Sequence, residues 1–185
     1  MDEELEPLFD EDAIRNKMQE LADRISRDYA GSDLVIVCVL KAAAFFAADL
    51  ARSLAVPSRI AFVCASSYGA STSAVTEVEI RKDIEIDISG KHVLLVDTIA
   101  DSGRTLAALT ARYAQRGPAS IRSAVLLDKR SRRTADLRLN YVGFEIPDLF
   151  VVGYGMDFAE KYRNLPYIAV LPSSDTEGEG NRPGT

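Results

Sequence analysis

The sequence has no tryptophan, one histidine and two cysteines among its 185 residues. The thiols, Cys38 and Cys64, each sit inside an apolar run, so there is neither the disulfide framework of a small secreted domain nor a spaced Cys/His set for zinc. The lone histidine, His92, lies beside Lys91 at the start of an apolar segment, which leaves Ser-His-Asp chemistry without a base. No stretch approaches the roughly 20 apolar residues of a membrane span; the longest runs, 34–40 and 42–48, are split by Lys41. Positive charge is also short, with 22 Lys and Arg against 28 Asp and Glu and a net charge of −6. That balance argues against a general nucleic-acid surface and leaves any phosphate ligand to local cations and aimed backbone amides. The acidic N-terminus lacks the basic and then apolar profile of a secretory signal. Together these features predict a cytoplasmic protein that binds neither membrane nor nucleic acid.

What is present is globular: 47% hydrophobic and 27% charged residues, enough for one well-buried domain over residues 1–171. Residues 172–185 are rich in Ser, Gly, Glu and Pro without apolar periodicity, and are expected to form a disordered tail. Ile14, Met18, Leu21 and Ile25 carry helical spacing. Apolar runs at 34–39, 60–65, 93–96 and 121–127 read as buried strands, with helical patterns at 43–54 and 106–116, the latter closed by Gly117-Pro118. Strands alternating with helices predict an α/β fold with a mainly parallel central sheet flanked by helices. Ligands of such sheets sit beyond the carboxyl ends of the strands. The loops after Val39, Ala65, Val96 and Leu127 are therefore the ones to inspect.

The third of these runs through Asp97, Thr98, Ile99, Ala100, Asp101, Ser102, Gly103, Arg104 and Thr105 into a helix. Ser, Gly and Thr at a helix N-terminus supply free N–H groups, hydroxyl donors and the positive end of the helix dipole, which suit a phosphate monoester. Neither the Gly-x-x-x-x-Gly-Lys-Ser/Thr loop nor Gly-x-Gly-x-x-Gly is present. On the loop alone, an ordinary strand-to-helix connection with Ser102 or Asp101 as a cap serves equally well.

The neighbourhood separates the two. An apolar strand, two polar residues, two apolar residues and then Asp101-Ser102-Gly103-Arg104-Thr105 resembles the PRPP-binding signature of type I phosphoribosyltransferases. Further stretches resemble the hypoxanthine–guanine phosphoribosyltransferases of bacterial type: Val39-Leu40-Lys41, Ala65-Ser66-Ser67-Tyr68-Gly69, Leu126-Leu127-Asp128-Lys129, Gly143-Phe144-Glu145-Ile146-Pro147-Asp148, 150–157 and 162–167. The likeness runs in order over about residues 10–171. It implies the type I phosphoribosyltransferase fold, with a small hood from about 1–30 and 140–171. It also implies transfer of phosphoribose from PRPP to hypoxanthine or guanine, with xanthine as a further candidate, Mg²⁺ as cofactor, and a homodimer or homotetramer.

The resemblance assigns roles residue by residue. Asp101 would be the general base near the purine N7, and 97–105 would hold PRPP, with Asp97 near the ribose and a metal. Lys41, Ala42 and Arg163 would meet the pyrophosphate, and the Lys41–Ala42 peptide would be the cis bond of a tight turn. Lys129 would read the purine O6, Phe150 would stack on the ring, Val151 would read its edge through the backbone, and Asp157 would bind the second Mg²⁺ beside the purine. Ser67, Tyr68 and Gly69 would open a lid, where a plain surface hairpin is the alternative. Two positions depart from the family pattern: Asp97-Thr98 replaces Glu-Asp, and Ala42 replaces Gly. These departures motivate a second reading, a weakened relative that senses PRPP or nucleotide. The basic run at 129–133 reads as a solvated turn after its first residue.

Overall fold

A computed structural model of the chain describes residues 5–66 and 78–172. The lid residues Ser67, Tyr68 and Gly69, and the tail beyond Pro172, lie outside the described residues. Six strands form the main sheet in the order β4-β3-β2-β5-β6-β7: Glu79–Lys82, Ser58–Ser66, Leu34–Leu40, His92–Ala100, Ser120–Asp128 and Tyr141–Glu145. All neighbours pair in parallel except β3 and β4, which are antiparallel. Residues 67–77 thus connect two antiparallel partners.

The period-two alternation of the strands sorts side chains onto two cores. On one face Leu34, Ile36, Cys38, Leu94 and Val96 pack against helices α1 (Glu11–Asp28) and α2 (Ala43–Ser53). On the other, Val35, Val37, Val93 and Leu95 meet Leu106, Leu109 and Tyr113 of α3 (Arg104–Ala114). Burial on both faces explains why these strands read as unbroken apolar runs. Each fully buried Leu or Ile contributes roughly 1.5–3 kcal/mol, and Leu94→Ala, at 0% exposure between two layers, would cost more through the cavity it leaves. Helix α1 starts at Asp10, whose carboxylate accepts from the Ala13 amide at 2.7 Å, and its buried stripe is Ile14, Met18, Leu21, Ala22 and Ile25.

A second sheet of three short strands, in the order β1-β9-β8, joins Pro7–Phe9, Ile168–Val170 and Val151–Val152. It unites the chain's start with its later part. Within the span expected for the hood, β7 is the edge strand of the main sheet and α1 packs into the main core. Among the described residues no helix is long and apolar enough to cross a membrane.

Two local expectations are corrected. Strand β5 does not end at Val96: Asp97, Ile99 and Ala100 stay in register with Val125, Leu127 and Asp128 of β6. The polar pair Asp97-Thr98 breaks the apolar pattern, but the ladder continues through it. The cis peptide lies one bond earlier than expected, at Leu40–Lys41 and not Lys41–Ala42.

Candidate active site

Three neighbouring strands end level. Ala100 of β5 is in register with Asp128 of β6, and Asp128 with Glu145 of β7. The residues that follow therefore leave the sheet along one edge: Asp101 after β5, Lys129 after β6, and Asp148 a short turn after β7. The turns are tied to the strands, with the Lys129 amide donating to Ala100 O at 3.0 Å and the Ile146 amide to Asp128 O at 2.9 Å.

Asp101 opens the turn into α3. Gly103 is the helix N-cap at φ +79, a left-handed conformation, and a Cβ there would lie 2.7 Å from the Arg133 side chain. The Arg104 amide reaches the Ser102 hydroxyl at 3.4 Å, a long contact, and no side chain caps the helix. Asp101 is thus not the cap. Its Oδ1 accepts from Arg132 Nε at 3.1 Å, and its Oδ2 lies 3.8 Å from Lys129 Nζ. Asp148 lies against the same two cations, 3.6 Å from Lys129 and 3.4 Å from Arg132. Lys129 is buried, while Asp101, Asp148 and Arg132 are about half exposed. Arg133 pairs with Asp128, and the Thr134 and Ala135 amides donate to Ser102 O, so the turn after β6 braces the turn after β5.

The strand half of the segment behaves differently. Asp97 is set into the sheet, and loss of solvation pushes its carboxyl up to about 7, against the opposing pull of the Thr98 and Ile99 amides. The same carboxylate helps burial push the Cys38 thiol up to about 12. Thr98 is wholly buried and its hydroxyl has no hydrogen-bond partner; Ala100 is buried too. The structure therefore does not bring Thr98 to the opening, where the sequence reading placed it beside PRPP. Ile99, Ser102 and Thr105 are half-buried, and Arg104 is exposed.

Lys41 leaves β2 exposed, its Nζ 3.0 Å from Glu160 Oε1. Glu160 also lies 3.3 Å from Arg163, whose guanidinium pairs with Asp157 at 2.9 Å and donates to Gly155 O at 2.9 Å. Lys41 and Arg163 beside it hold the Glu160 carboxyl below the usual carboxylate range. Gly155, at φ +94, presses on the turn after β2: a Cβ there would stand 2.2 Å from Ala42 O. The neighbouring Tyr154 hydroxyl donates to Asp49 of α2. So Lys41, Ala42, Asp157 and Arg163 are gathered where residues 154–163 meet the turn after β2 and helix α2.

Phe150 is exposed at 45%, with Phe158 edge-on at 5.5 Å. Val151, buried, begins the edge strand β8, which pairs with β9 on one side. His92 is at the far end of β5, bonded to Ser120 Oγ at 2.8 Å and packed edge-on against Tyr29. The sequence reading missed Arg132, Asp148, Glu160 and Phe158. For Arg132 the signal was the basic run at 129–133, read as solvated although two of its arginines are paired.

Among the described residues no group of three His, Cys, Asp or Glu side chains gathers as a cation cage. Asp97 and Asp157 are each a hard oxygen donor of the kind Mg²⁺ takes one or two at a time, the rest of its sphere being phosphate and water.

Residues 5–159 match the phosphoribosyl transferase domain family. A hypoxanthine phosphoribosyltransferase of Salmonella typhimurium is 44% identical over 166 residues, 89% of this chain and 93% of that protein. A hypoxanthine-guanine phosphoribosyltransferase of Mycobacterium bovis is 43% identical over 170 residues, 89% of this chain and 84% of its own. The crystal structure of a hypoxanthine phosphoribosyltransferase from Staphylococcus aureus superposes with a TM-score of 0.88 at 42% identity, covering 92% of both chains.

Proposed function

The chain belongs to the phosphoribosyl transferase family, in its hypoxanthine–guanine group, and from that premise we propose that it makes IMP and GMP from PRPP with hypoxanthine and guanine. N9 of the base displaces pyrophosphate at C1 of the ribose with inversion, while the base gives up its N7 proton. The bond to pyrophosphate breaks as charge builds on the sugar, so the protein's task is to stabilise that charge and accept one proton.

The observation that carries this reading is the level ending of β5, β6 and β7, which sets Asp101 beside Lys129. The N7 and O6 atoms of a 6-oxopurine lie on one edge of the ring. A carboxylate that accepts from N7–H and an ammonium that donates to O6 therefore read that edge together. Adenine offers an amino group at position 6, which leaves Lys129 facing a donor. Loss of such a buried partner costs about 1–3 kcal/mol. The exposed face of Phe150 stacks on the base, and the open edge of β8 at Val151 offers backbone groups to its far side.

The turn from Asp101 to Thr105 receives the 5′-phosphate on the first amides of α3 and the Ser102 and Thr105 hydroxyls. Lys41 and Arg163 meet the pyrophosphate, and the Ala42 amide lies beside them. Asp97 faces the ribose. Asp97 and Asp157 would hold Mg²⁺, which when bound neutralises charge on the diphosphate. The enzyme acts in the cytoplasm as a homodimer or homotetramer, a state that light scattering reads directly.

The test is product formation by the purified protein with PRPP, Mg²⁺ and each of hypoxanthine, guanine and xanthine. IMP and GMP are the expected products, and xanthine reports on tolerance at position 2. No nucleotide from any of the three would overturn the assignment.

A further inference from the structure

The charges at the carboxyl edge alternate around a ring: Asp101, Arg132, Asp148, Lys129. Arg132 touches both carboxylates, at 3.1 and 3.4 Å. Lys129 Nζ lies 3.8 Å from one and 3.6 Å from the other, beyond hydrogen-bond reach of both. The near-equality matters because Lys129 is 7% exposed and has little water to turn to. With one carboxylate alone, a buried ammonium would close to about 2.8 Å and form a charge-assisted hydrogen bond. With two at nearly equal distances, its charge is balanced while neither carboxylate takes a hydrogen bond from it.

Resting on the purine reading above, we infer that Asp148 is a positioning residue for purine recognition: it holds Lys129 off Asp101, leaving the ammonium free for O6 and Asp101 Oδ2 free for N7. Arg132, joined to Lys129 by its amide donating to Lys129 O at 2.9 Å, completes the ring by keeping Asp148 and Asp101 at a fixed spacing. Beside the ring, Arg133 pairs with Asp128. Because the other three members of the ring are about half exposed, none of its pairs is strong. An incoming base can part Lys129 from its neighbours without breaking a closed salt bridge.

Replacement of Asp148 by Asn removes one side of the balance. Lys129 then closes on Asp101, and the new bond draws the ammonium toward Asp101 and engages Oδ2, the oxygen that Arg132 leaves free, so that both are turned from the base. The test is steady-state kinetics of wild type, Asp148→Asn, Asp148→Glu and Arg132→Gln, with hypoxanthine and PRPP varied separately. Asp148→Asn is expected to raise the KM for hypoxanthine about tenfold and to leave the KM for PRPP unchanged. Asp148→Glu should recover most of the loss. Arg132→Gln, which leaves Lys129 between two carboxylates, should change the hypoxanthine KM less than Asp148→Asn does. Asp148 is a half-exposed loop residue, and an unchanged melting temperature confirms that the variant is folded.

A wild-type hypoxanthine KM in Asp148→Asn overturns the inference and leaves the purine reading standing. So does an equal rise in both KM values without rescue by Glu, the mark of a general structural fault. A wild type that makes no nucleotide at all is the separate failure of the purine reading.

Discussion

The two halves of the site hold their charges in opposite ways. On the base side, Asp101, Lys129, Asp148 and Arg132 alternate, and Lys129 has no carboxylate to itself. On the diphosphate side the charges form a chain, Lys41 to Glu160 to Arg163 to Asp157, with Glu160 lying 3.0 and 3.3 Å from two cations. The difference follows the ligands. A purine enters as a neutral molecule and needs an uncommitted donor and acceptor, whereas a diphosphate enters as an anion and competes with any carboxylate already there. Glu160 lies between Lys41 and Arg163, the two cations proposed to meet the pyrophosphate.

The largest expected effect breaks the base side. Asp101→Asn keeps the shape and loses the proton acceptor, so kcat should fall roughly 10²–10⁴-fold while nucleotide binding, measured by calorimetry, persists. On the diphosphate side, Arg163→Gln removes a cation held by Asp157 and Gly155. The KM for PRPP should rise about tenfold or more with little change for hypoxanthine.

A third prediction concerns the floor between the halves. The Asp97 carboxyl is raised in the folded protein from 3.8 to about 7. The folded state then holds a proton that the unfolded chain releases, so stability falls as pH rises from about 4 to 7 and stays lowered above that window. Asp97→Asn removes the penalty. Without Mg²⁺ its melting temperature should exceed wild type by roughly 3 °C or more at pH 8, and the gain should vanish near pH 4. An equal gain at both pH values would contradict the assigned cause. The smallest effect is at Glu160, which is exposed: Glu160→Gln should lower the KM for PRPP about two- to fivefold at low salt, and the advantage should shrink as salt screens the pairs.

The halves also differ in how far the sequence revealed them. The strands β2, β5 and β6 were legible because burial on both faces makes them continuous apolar runs, and β3 because its exposed face also carries apolar residues, Ile60 and Phe62. The short strands β1, β8 and β9 carry too few residues for a pattern, and β5 hid its last residues behind Asp97 and Thr98. Lys129 stood out because it ends an apolar strand, and Asp101 because it opens the Asp101–Thr105 run that carries the family resemblance. Asp148 and Arg132 did not, since they follow turns whose direction depends on the register of β6 with β7. Glu160 escaped for a similar reason, its backbone at φ +63 turning it toward Lys41 from a distant stretch of chain.

Lys129, held between two carboxylates, is the residue proposed to read the oxygen at position 6. The direct measurement is kcat/KM for hypoxanthine and for adenine, in wild type and in Lys129→Gln. Wild type should prefer hypoxanthine by about 100-fold or more, and the variant should lose most of that preference through hypoxanthine alone. An undiminished preference in Lys129→Gln would contradict that role.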